Sequence, residues 1–440
     1  MPESRLDRIS LARVREELKP IVFLTSGTRG DVQPITALAR GLQERGRAVR
    51  VAAPPAFRDI VESQSVPFAP LEGNPSDLLT APGSQSALTF NNSPLQGIKS
   101  ALGYLKAAQP VYAQMLRNAW LASQDASALV IGLPTIWGTS IAEKLGIACI
   151  GAFLQPVTST HEFPSPLLPS TLKLGRAYNQ LTYWLMSQAV YLPWRKTINH
   201  WRQESLGLSP LPLFHNHFKQ INATIYGFSK KVVPQPKDWN HKNFITGYWS
   251  LPANSYSPAS ELKSFIENND SPFFFGFGSP GMHEPRALIK LLMTAIERAN
   301  IRAVISLPKD MDVVTQSENI FIQKESIPHN WLFPRMAGIV HHGGAGTTAE
   351  ALKAGAPSFI TPLAVDQFFW GEKVYQLGVS PRAVPQRELT VEKLVNALNE
   401  MKIEIMMKEN AKKLGEELRA EDGIANAVRA LETVLEAGTG

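Results

Sequence analysis

Val340-His341-His342-Gly343-Gly344-Ala345-Gly346-Thr347-Thr348-Ala349-Glu350 carries the clearest signal of chain architecture. A short apolar run over residues 337–341 ends in a glycine-rich turn and passes into a helical pattern at residues 348–353. Strand, glycine turn and helix in that order are the repeating unit of a parallel sheet wound with helices. Backbone N–H groups at a helix start point outward and favour an anion, and glycines let a phosphate approach the backbone closely. The turn therefore reads as a diphosphate cradle. It is not a Walker loop, because no lysine follows the last glycine in the required place, and it is not the nicotinamide fingerprint in its usual place after the first strand. The same glycines also suit a tight strand-to-helix turn whose histidines are satisfied within the fold.

Downstream, residues 358–361 read as the next strand and lead to Pro362-Leu363-Ala364-Val365-Asp366-Gln367-Phe368-Phe369-Trp370-Gly371. Asp366 and Gln367 fall between a strand end and a helix start, where doubly wound sheets bind ligands, and a carboxylate beside an amide suits the vicinal hydroxyls of a sugar. Taken alone, Asp366 also reads as a helix N-cap. Upstream lies Ile327-Pro328-His329-Asn330-Trp331-Leu332, in which Trp331 offers a flat face for a nucleobase or simply fills the core.

The pattern has a counterpart nearer the N-terminus. Residues 20–26 are an apolar run of strand length, followed by Gly27-Thr28-Arg29-Gly30-Asp31-Val32-Gln33-Pro34 and a helical pattern over residues 35–45. Pro34 suits a first helical turn, Gly46 suits the exit, and residues 48–53 read as the next strand. Strands over 128–133 and 147–154 bracket a helix over 137–145, so a parallel sheet forms here as well. This first turn has no lysine, and Asp31 would repel a phosphate; Asp31 reads as a catalytic group or as a helix cap. The alternation restarts after a proline- and serine-bearing stretch: residues 272–277 as strand, Gly278-Ser279-Pro280-Gly281 as turn, 284–299 as helix, then strands at 303–306 and 320–323. Residues 391–436 are almost wholly helical, with Asp422 as N-cap of the last helix. The expected fold is α/β with two domains, 1–249 and 263–440, joined by a linker at 250–262, the last helix packing back on the first domain.

Composition narrows the class. The 440 residues are 44% hydrophobic and 19% charged, which excludes disorder, collagen and coiled coil. Cys149 is the only cysteine, so no intramolecular disulfide and no cysteine-rich zinc site is available, and a reducing, cytoplasmic compartment is expected. No run reads as a secretion signal or a spanning helix. The formal charge of +6 is uneven: between residues 170 and 245 stand ten lysines and arginines against Glu204 and Asp238.

Thr25-Ser26-Gly27-Thr28-Arg29-Gly30-Asp31-Val32-Gln33-Pro34 and nearly all of residues 329–379 resemble the UDP-glucose sterol glucosyltransferases and their bacterial relatives that glycosylate antibiotic aglycones, within family 1 of the glycosyltransferases. The resemblance implies a GT-B fold, two Rossmann-like doubly wound domains facing across a cleft. It implies that His342 contacts the donor phosphates, backed by Gly344, Ala345, Gly346 and Thr347, that Trp331 stacks on uracil, that Glu350 holds the ribose, and that Asp366 and Gln367 read the sugar. Ser279 and Gly30 resemble further donor contacts. Asp31 corresponds to the proposed general base, although plant members place a histidine near that point; His161 is the runner-up base or partner.

The activity so implied is an inverting hexosyl transfer from UDP-glucose or a related UDP-sugar to a hydroxyl, with no cofactor and no metal, since no Asp-x-Asp clustering lies near the phosphate turn. Residues 151–208 carry aromatic residues enough to line an apolar cleft, with Gln155, Phe163 and Trp184 as candidate acceptor contacts. A lipidic alcohol such as a sterol is the favoured acceptor. Basic residues interleaved with tryptophan and tyrosine suit peripheral contact with an anionic membrane better than nucleic acid, for which no module is present. The alternatives are a transferase for a soluble polyketide or phenolic using a UDP- or dTDP-sugar, and a non-catalytic nucleotide-sugar-binding protein.

Overall fold

The computed structural model describes residues 19–74, 94–168, 172, 174–251, 256–267, 270–277, 285–308, 311, 313 and 317–437. In the first half, β1 (Ile21–Leu24), β2 (Val49–Ala53), β3 (Phe68–Pro70), β4 (Ala128–Ile131), β5 (Ala148–Phe153), β6 (Ala223–Tyr226) and β7 (Asn243–Ile245) form one sheet in the order β3-β2-β1-β4-β5-β6-β7. In the second, β8 (Phe273–Gly276), β9 (Ala303–Ser306), β10 (Ile320–Gln323), β11 (Gly338–His341) and β12 (Ser358–Ile360) take the order β10-β9-β8-β11-β12. Every pairing is parallel, as between Ile21 and both Val49 and Ala128, or between Gly338 and Phe273. Strands such as Ile-Val-Phe-Leu at β1 are buried residue by residue because helices cover both faces of a parallel sheet. These are two Rossmann-like units.

The helices that flank these sheets include α1 (Arg29–Glu44), α2 (Arg176–Tyr191), α3 (Ala345–Ala354), α4 (Gln367–Gln376), α5 (Ile405–Arg419) and α6 (Gly423–Ala437). In each sheet the strand order reverses beside the first strand, between β1 and β4 and between β8 and β11. α1 comes directly after β1 and α3 directly after β11, so both helices begin at a switch point, where open α/β sheets bind ligands.

Element boundaries depart from the sequence reading in instructive ways. Gly30, Asp31 and Pro34 are not loop: α1 starts at Arg29, and Pro34 lies in its second turn. The inward face of α1, Val32, Ile35, Leu38, Ala39 and Leu42, begins at Val32 with the three- and four-residue spacing that pins a helix to a sheet, and this extends the helix back past the proline. Likewise α3 begins at Ala345, not at Thr348, and residues 133–138 form a 3₁₀ turn before a shorter helix, Thr139–Leu145. Within the expected linker, a helix already begins at Ser260 (Ser260–Glu267). Asp422 does cap α6, its Oδ1 accepting from Ala425 N at 2.9 Å. No helix among the described residues is long and apolar enough to cross a membrane.

The last helix belongs spatially to the first sheet. Ala427, Val428 and Leu431 of α6 are buried in one apolar cluster with Val32, Ile35 and Leu42 of α1. Burying a leucine or valine side chain contributes about 1.5–3 kcal/mol, whereas an exposed pair such as Arg45–Glu432 at 3.5 Å contributes at most about 1 kcal/mol. Packing therefore holds α6, and glycines permit it: a Cβ at Gly423 would lie 2.3 Å from the Tyr248 carbonyl oxygen, and one at Gly41 would lie 2.5 Å from Ile424 Cγ2. Gly423→Ala must push backbone against backbone. We expect it to cost about 1–3 kcal/mol and lower the apparent Tm by roughly 1–6 °C in a thermal melt; an unchanged melt would contradict this seating of α6.

Candidate active site

At the end of β11 the buried His341 accepts from Gly343 N through Nδ1 at 3.1 Å, and Gly343 takes φ of +91°, a conformation that costs a residue with a side chain. A Cβ there would also lie 2.6 Å from Ile360 Cγ2. The turn thus delivers Gly344 as N-cap of α3, and the N–H groups of Ala345, Gly346 and Thr347 have no acceptor within the helix. The space before them is open, since a Cβ on Gly346 would meet nothing within 4 Å. His342 lies beside this helix start, with Gly344 so near that a Cβ would come within 2.7 Å of its Nε2. Its Nδ1 is buried and has no hydrogen-bond partner.

Three imidazoles crowd this end of β11. Burial lowers the pKa of His342, with a backbone hydrogen bond to Gly276 opposing it, and lowers that of His341 far below the ordinary value. His329, stacked on Phe333 at 4.3 Å, is lowered to about 4, first by burial and then by the charges of Arg29 and His342. All three are neutral near pH 7, so the open N–H groups of the α3 start are flanked by uncharged imidazoles.

The first half supplies a second helix start. Gly27 turns the chain with φ of +104°, and a Cβ there would fall 2.6 Å from Asp31 Oδ2. Asn74 pins this turn, accepting from Ser26 Oγ and donating to the Gly27 carbonyl, each at 3.1 Å. Asp31 Oδ2 accepts from Thr28 N at 2.8 Å and Thr28 Oγ1 at 2.9 Å. Burial raises the Asp31 pKa to about 6; the Thr28 bonds resist, and the charge of Asp366 adds to the rise. Asp366 belongs to the other half, so the field at Asp31 is set partly from across the cleft.

Direct contacts cross the same cleft. Gln155 Nε2, just beyond β5, donates to Asp366 Oδ2 at 2.9 Å, and Trp370 Nε1 donates to the same oxygen at 3.0 Å. Burial raises the Asp366 pKa against those two bonds. Asp366 precedes α4 without capping it, and Val365 before it holds φ of +52°, strained for a β-branched residue. Gln367 turns its Oε1 onto its own loop, accepting from Leu363 N at 2.7 Å. Arg29, the first residue of α1, donates through Nη1 to Ser326 Oγ at 3.1 Å. Phe163 meets Phe369 with ring centroids 5.6 Å apart.

The structure thus gathers Gly30, Asp31, Gln155, Phe163, His342, Gly344, Ala345, Gly346, Thr347, Asp366 and Gln367 around the strand ends of the two sheets. Glu350 lies one turn along α3, its Oε1 accepting from Ser250 Oγ at 2.9 Å, next to the chain crossing between the halves. Trp331, on the single-turn helix His329–Leu332, has the Arg335 guanidinium 4.5 Å over its ring. Ser279 lies outside the described residues. Two candidates sit apart from Asp31: His161 bonds to Gln180, Asn179 and Asp238 of the first half, and Trp184 is exposed against Phe214. Arg29, Asn74 and His329 were not singled out by the sequence reading. Arg29 had a signal, because a cation at a helix N-terminus opposes the helix dipole and calls for another reason to be there.

Comparison with known proteins agrees with this arrangement. Residues 21–164 match the glycosyltransferase family 28 N-terminal domain and residues 290–434 the erythromycin biosynthesis protein CIII-like C-terminal domain. The chain is 34% identical to the sterol 3-beta-glucosyltransferase UGT80A2 and 35% identical to UGT80B1, both of Arabidopsis thaliana, over 93% and 94% of its length and 64% and 68% of theirs. It is 32% identical to the sterol 3-beta-glucosyltransferase of Emericella nidulans, over 96% of this chain and 30% of that protein. The chain thus spans about two thirds of the plant relatives and under a third of the fungal one. Its fold is that of the glycosyltransferase of kitacinnamycin, with a TM-score of 0.67 at 17% identity, covering 94% of this chain and 99% of that one. The chain belongs to the glycosyltransferase family that includes the sterol 3-beta-glucosyltransferases, with the GT-B fold, as its motifs implied.

Gly344→Ala adds a methyl group that displaces the His342 ring while leaving a φ of −62° that alanine accepts. If the α3 start holds a nucleoside diphosphate, calorimetry is expected to show UDP binding weakened about ten-fold or more with the Tm nearly unchanged; unaltered binding would separate His342 and the α3 start from any such site.

Proposed function

We propose, with membership of that family as the premise, that the chain transfers a hexose, glucose first among them, from a UDP-sugar to the hydroxyl of a sterol-like acceptor, with inversion and without a metal. The observation that carries this reading is the meeting of two helix starts from opposite halves, α1 with Asp31 and α3 with its open N–H groups, bridged by the Arg29–Ser326 and Gln155–Asp366 hydrogen bonds. The names of the plant and fungal relatives support the sterol, and the UDP-sugar-dependent glycosyltransferase 52 of Dictyostelium discoideum, 32% identical, supports the donor.

In the proposed step the acceptor oxygen forms a bond to the anomeric carbon as the bond from that carbon to the diphosphate oxygen breaks. The hydroxyl proton passes to Asp31, and the electron pair leaves with UDP. The negative charge that grows on the leaving oxygen meets the N–H groups of Ala345, Gly346 and Thr347 and the neutral ring of His342, all already in place. Fixed dipoles of this kind are worth about 10²- to 10³-fold per donor, and a positioned base about 10²- to 10⁴-fold. Asp366 and Gln367 would hold the sugar; for this Asp366 exchanges its bond to Gln155 for sugar hydroxyls. Trp331 and Glu350 take the uracil and the ribose.

Incubation of the protein with UDP-glucose and a panel of sterols and soluble phenols, read by mass spectrometry, is expected to give a hexosylated sterol. Hexosylated phenols alone, or no product at all, would overturn the acceptor or the activity. Asp31 accepts the proton only when ionised, so kcat/KM is expected to rise with pH through about 6 and level off above it. Asp31→Asn keeps an oxygen for the Thr28 bonds, so the fold should survive while turnover falls by about 10²- to 10⁴-fold. A variant with unchanged turnover and the same pH limb would place the base elsewhere.

A further inference from the structure

α2 buries polar side chains and exposes apolar ones. Beside Tyr183 and Tyr191 its buried residues are Asn179, Thr182, Ser187 and Gln188, while Leu181, Trp184 and Leu185 are 51%, 45% and 45% exposed. Each inward polar side chain makes a bond, although Asn179 Oδ1 and Gln188 Oε1 have no partner among the described residues: Asn179 Nδ2 donates to the His161 carbonyl, Thr182 Oγ1 accepts from Ser165 N, and Gln188 Nε2 donates to the His215 carbonyl. A helix on a solvated surface would reverse this pattern, so the apolar face is not a by-product of packing. The loop after α2 extends it, with Leu213 and Phe214 55% and 57% exposed and Phe214 against Trp184. Of the 14 large hydrophobic side chains exposed among the described residues, eight fall between residues 172 and 214.

Charge says what covers this face. Arg176 opens α2, Lys219 lines the groove between Trp184 and Phe214, and Arg195 donates to the Pro212 carbonyl beside Leu213. None of these, nor the exposed Lys196, stands in an ion pair among the described residues. A protein partner with an apolar patch would not require the cations, and a copy of this face would set like charges together. A surface that is apolar at its centre and negative at the level of the surrounding cations fits both features. We infer that the outer face of α2 and the loop at 213–214 dock on a lipid bilayer that carries anionic headgroups. Leu181, Leu185, Leu213 and Phe214 enter the headgroup region, and Arg176, Arg195, Lys196 and Lys219 meet its phosphates and carboxylates. The inference does not depend on the proposed reaction, though it would bring an apolar acceptor to the half that carries Asp31.

The test is co-sedimentation of the full chain with vesicles of phosphatidylcholine alone and of phosphatidylcholine with about 30% phosphatidylserine, a charge density at which basic residues near the surface register. Binding to the anionic vesicles is expected, weakened at least ten-fold by 0.5 M NaCl and by the omission of phosphatidylserine. Leu181→Gln with Leu185→Gln and Leu213→Gln, all at exposed positions, should lower binding at least ten-fold at an unchanged Tm. Arg176→Glu with Lys196→Glu should do the same without touching the apolar face. Absence of binding by the parent chain, or binding that survives either set of substitutions, overturns the inference. Self-association of the parent chain in sedimentation velocity, abolished by the leucine substitutions, would instead give the face to a second copy.

Discussion

A helix that begins at the end of a buried parallel strand brings to that place N–H groups that it cannot satisfy, and this constraint organises the whole molecule. The chain meets it twice in different ways. At α1 the donors are turned to internal use: Asp31 and Thr28 cap one another, and the cost is a half-buried carboxylate with its pKa lifted to about 6. At α3 the corresponding donors are left open, and the neighbouring histidines are kept neutral by burial. One helix start therefore carries a carboxylate and the other open N–H groups, with the same strand-turn-helix geometry underneath. Because each lies at a switch point of its sheet, the two open into the cleft between the sheets.

What brings the two starts together is a seam of modest contacts. A hydrogen bond to a charged group contributes about 1.5–3 kcal/mol, so the Gln155–Asp366 bond is strong enough to favour closure and weak enough to be exchanged for a ligand's hydroxyls. The apolar part of the seam is larger: Trp370 and Val374 of α4 share one core cluster with Phe228 and Val157 of the first half. Further back, Ser229 donates to Glu421 and Lys231 pairs with Glu417 at 3.0 Å, tying α5 and the residues before α6 to the loop after β6. α6 then crosses to the first sheet. The halves are thus joined at the back by packing and at the front by exchangeable polar bonds, an arrangement suited to opening at the cleft.

Much of this was legible because it rests on local chemistry. The two glycine turns, the alternation of strands and helices, and the Asp422 cap are all short-range signals, and the strands at 303–306 and 320–323 fall where the residues place them. The start of α1 was misread because proline was allowed to set the boundary; the Thr28-x-x-Asp31 capping pattern and the apolar spacing from Val32 were the stronger signals. Asn74 was not legible, since its partners Ser26 and Gly27 lie 48 and 47 residues away. Gln155 was singled out, but that it meets Asp366, 211 residues on, is a property of the closed cleft and of no local pattern. Trp184 lies in an apolar-rich stretch that reads as cleft lining, and in the structure it is half exposed and packed against Phe214, a neighbour 30 residues on that no local pattern announces.

In the proposed reaction a base on one half and a leaving diphosphate on the other lie on opposite sides of the reacting carbon. The most direct test is the anomeric configuration of the purified product by proton NMR, with an α-linked UDP-glucose as donor. Attack from the Asp31 side gives a single β-glucoside. An α-glucoside would require the acceptor and the leaving group to share one face of the sugar, and would contradict the placement of Asp31 across the cleft from His342.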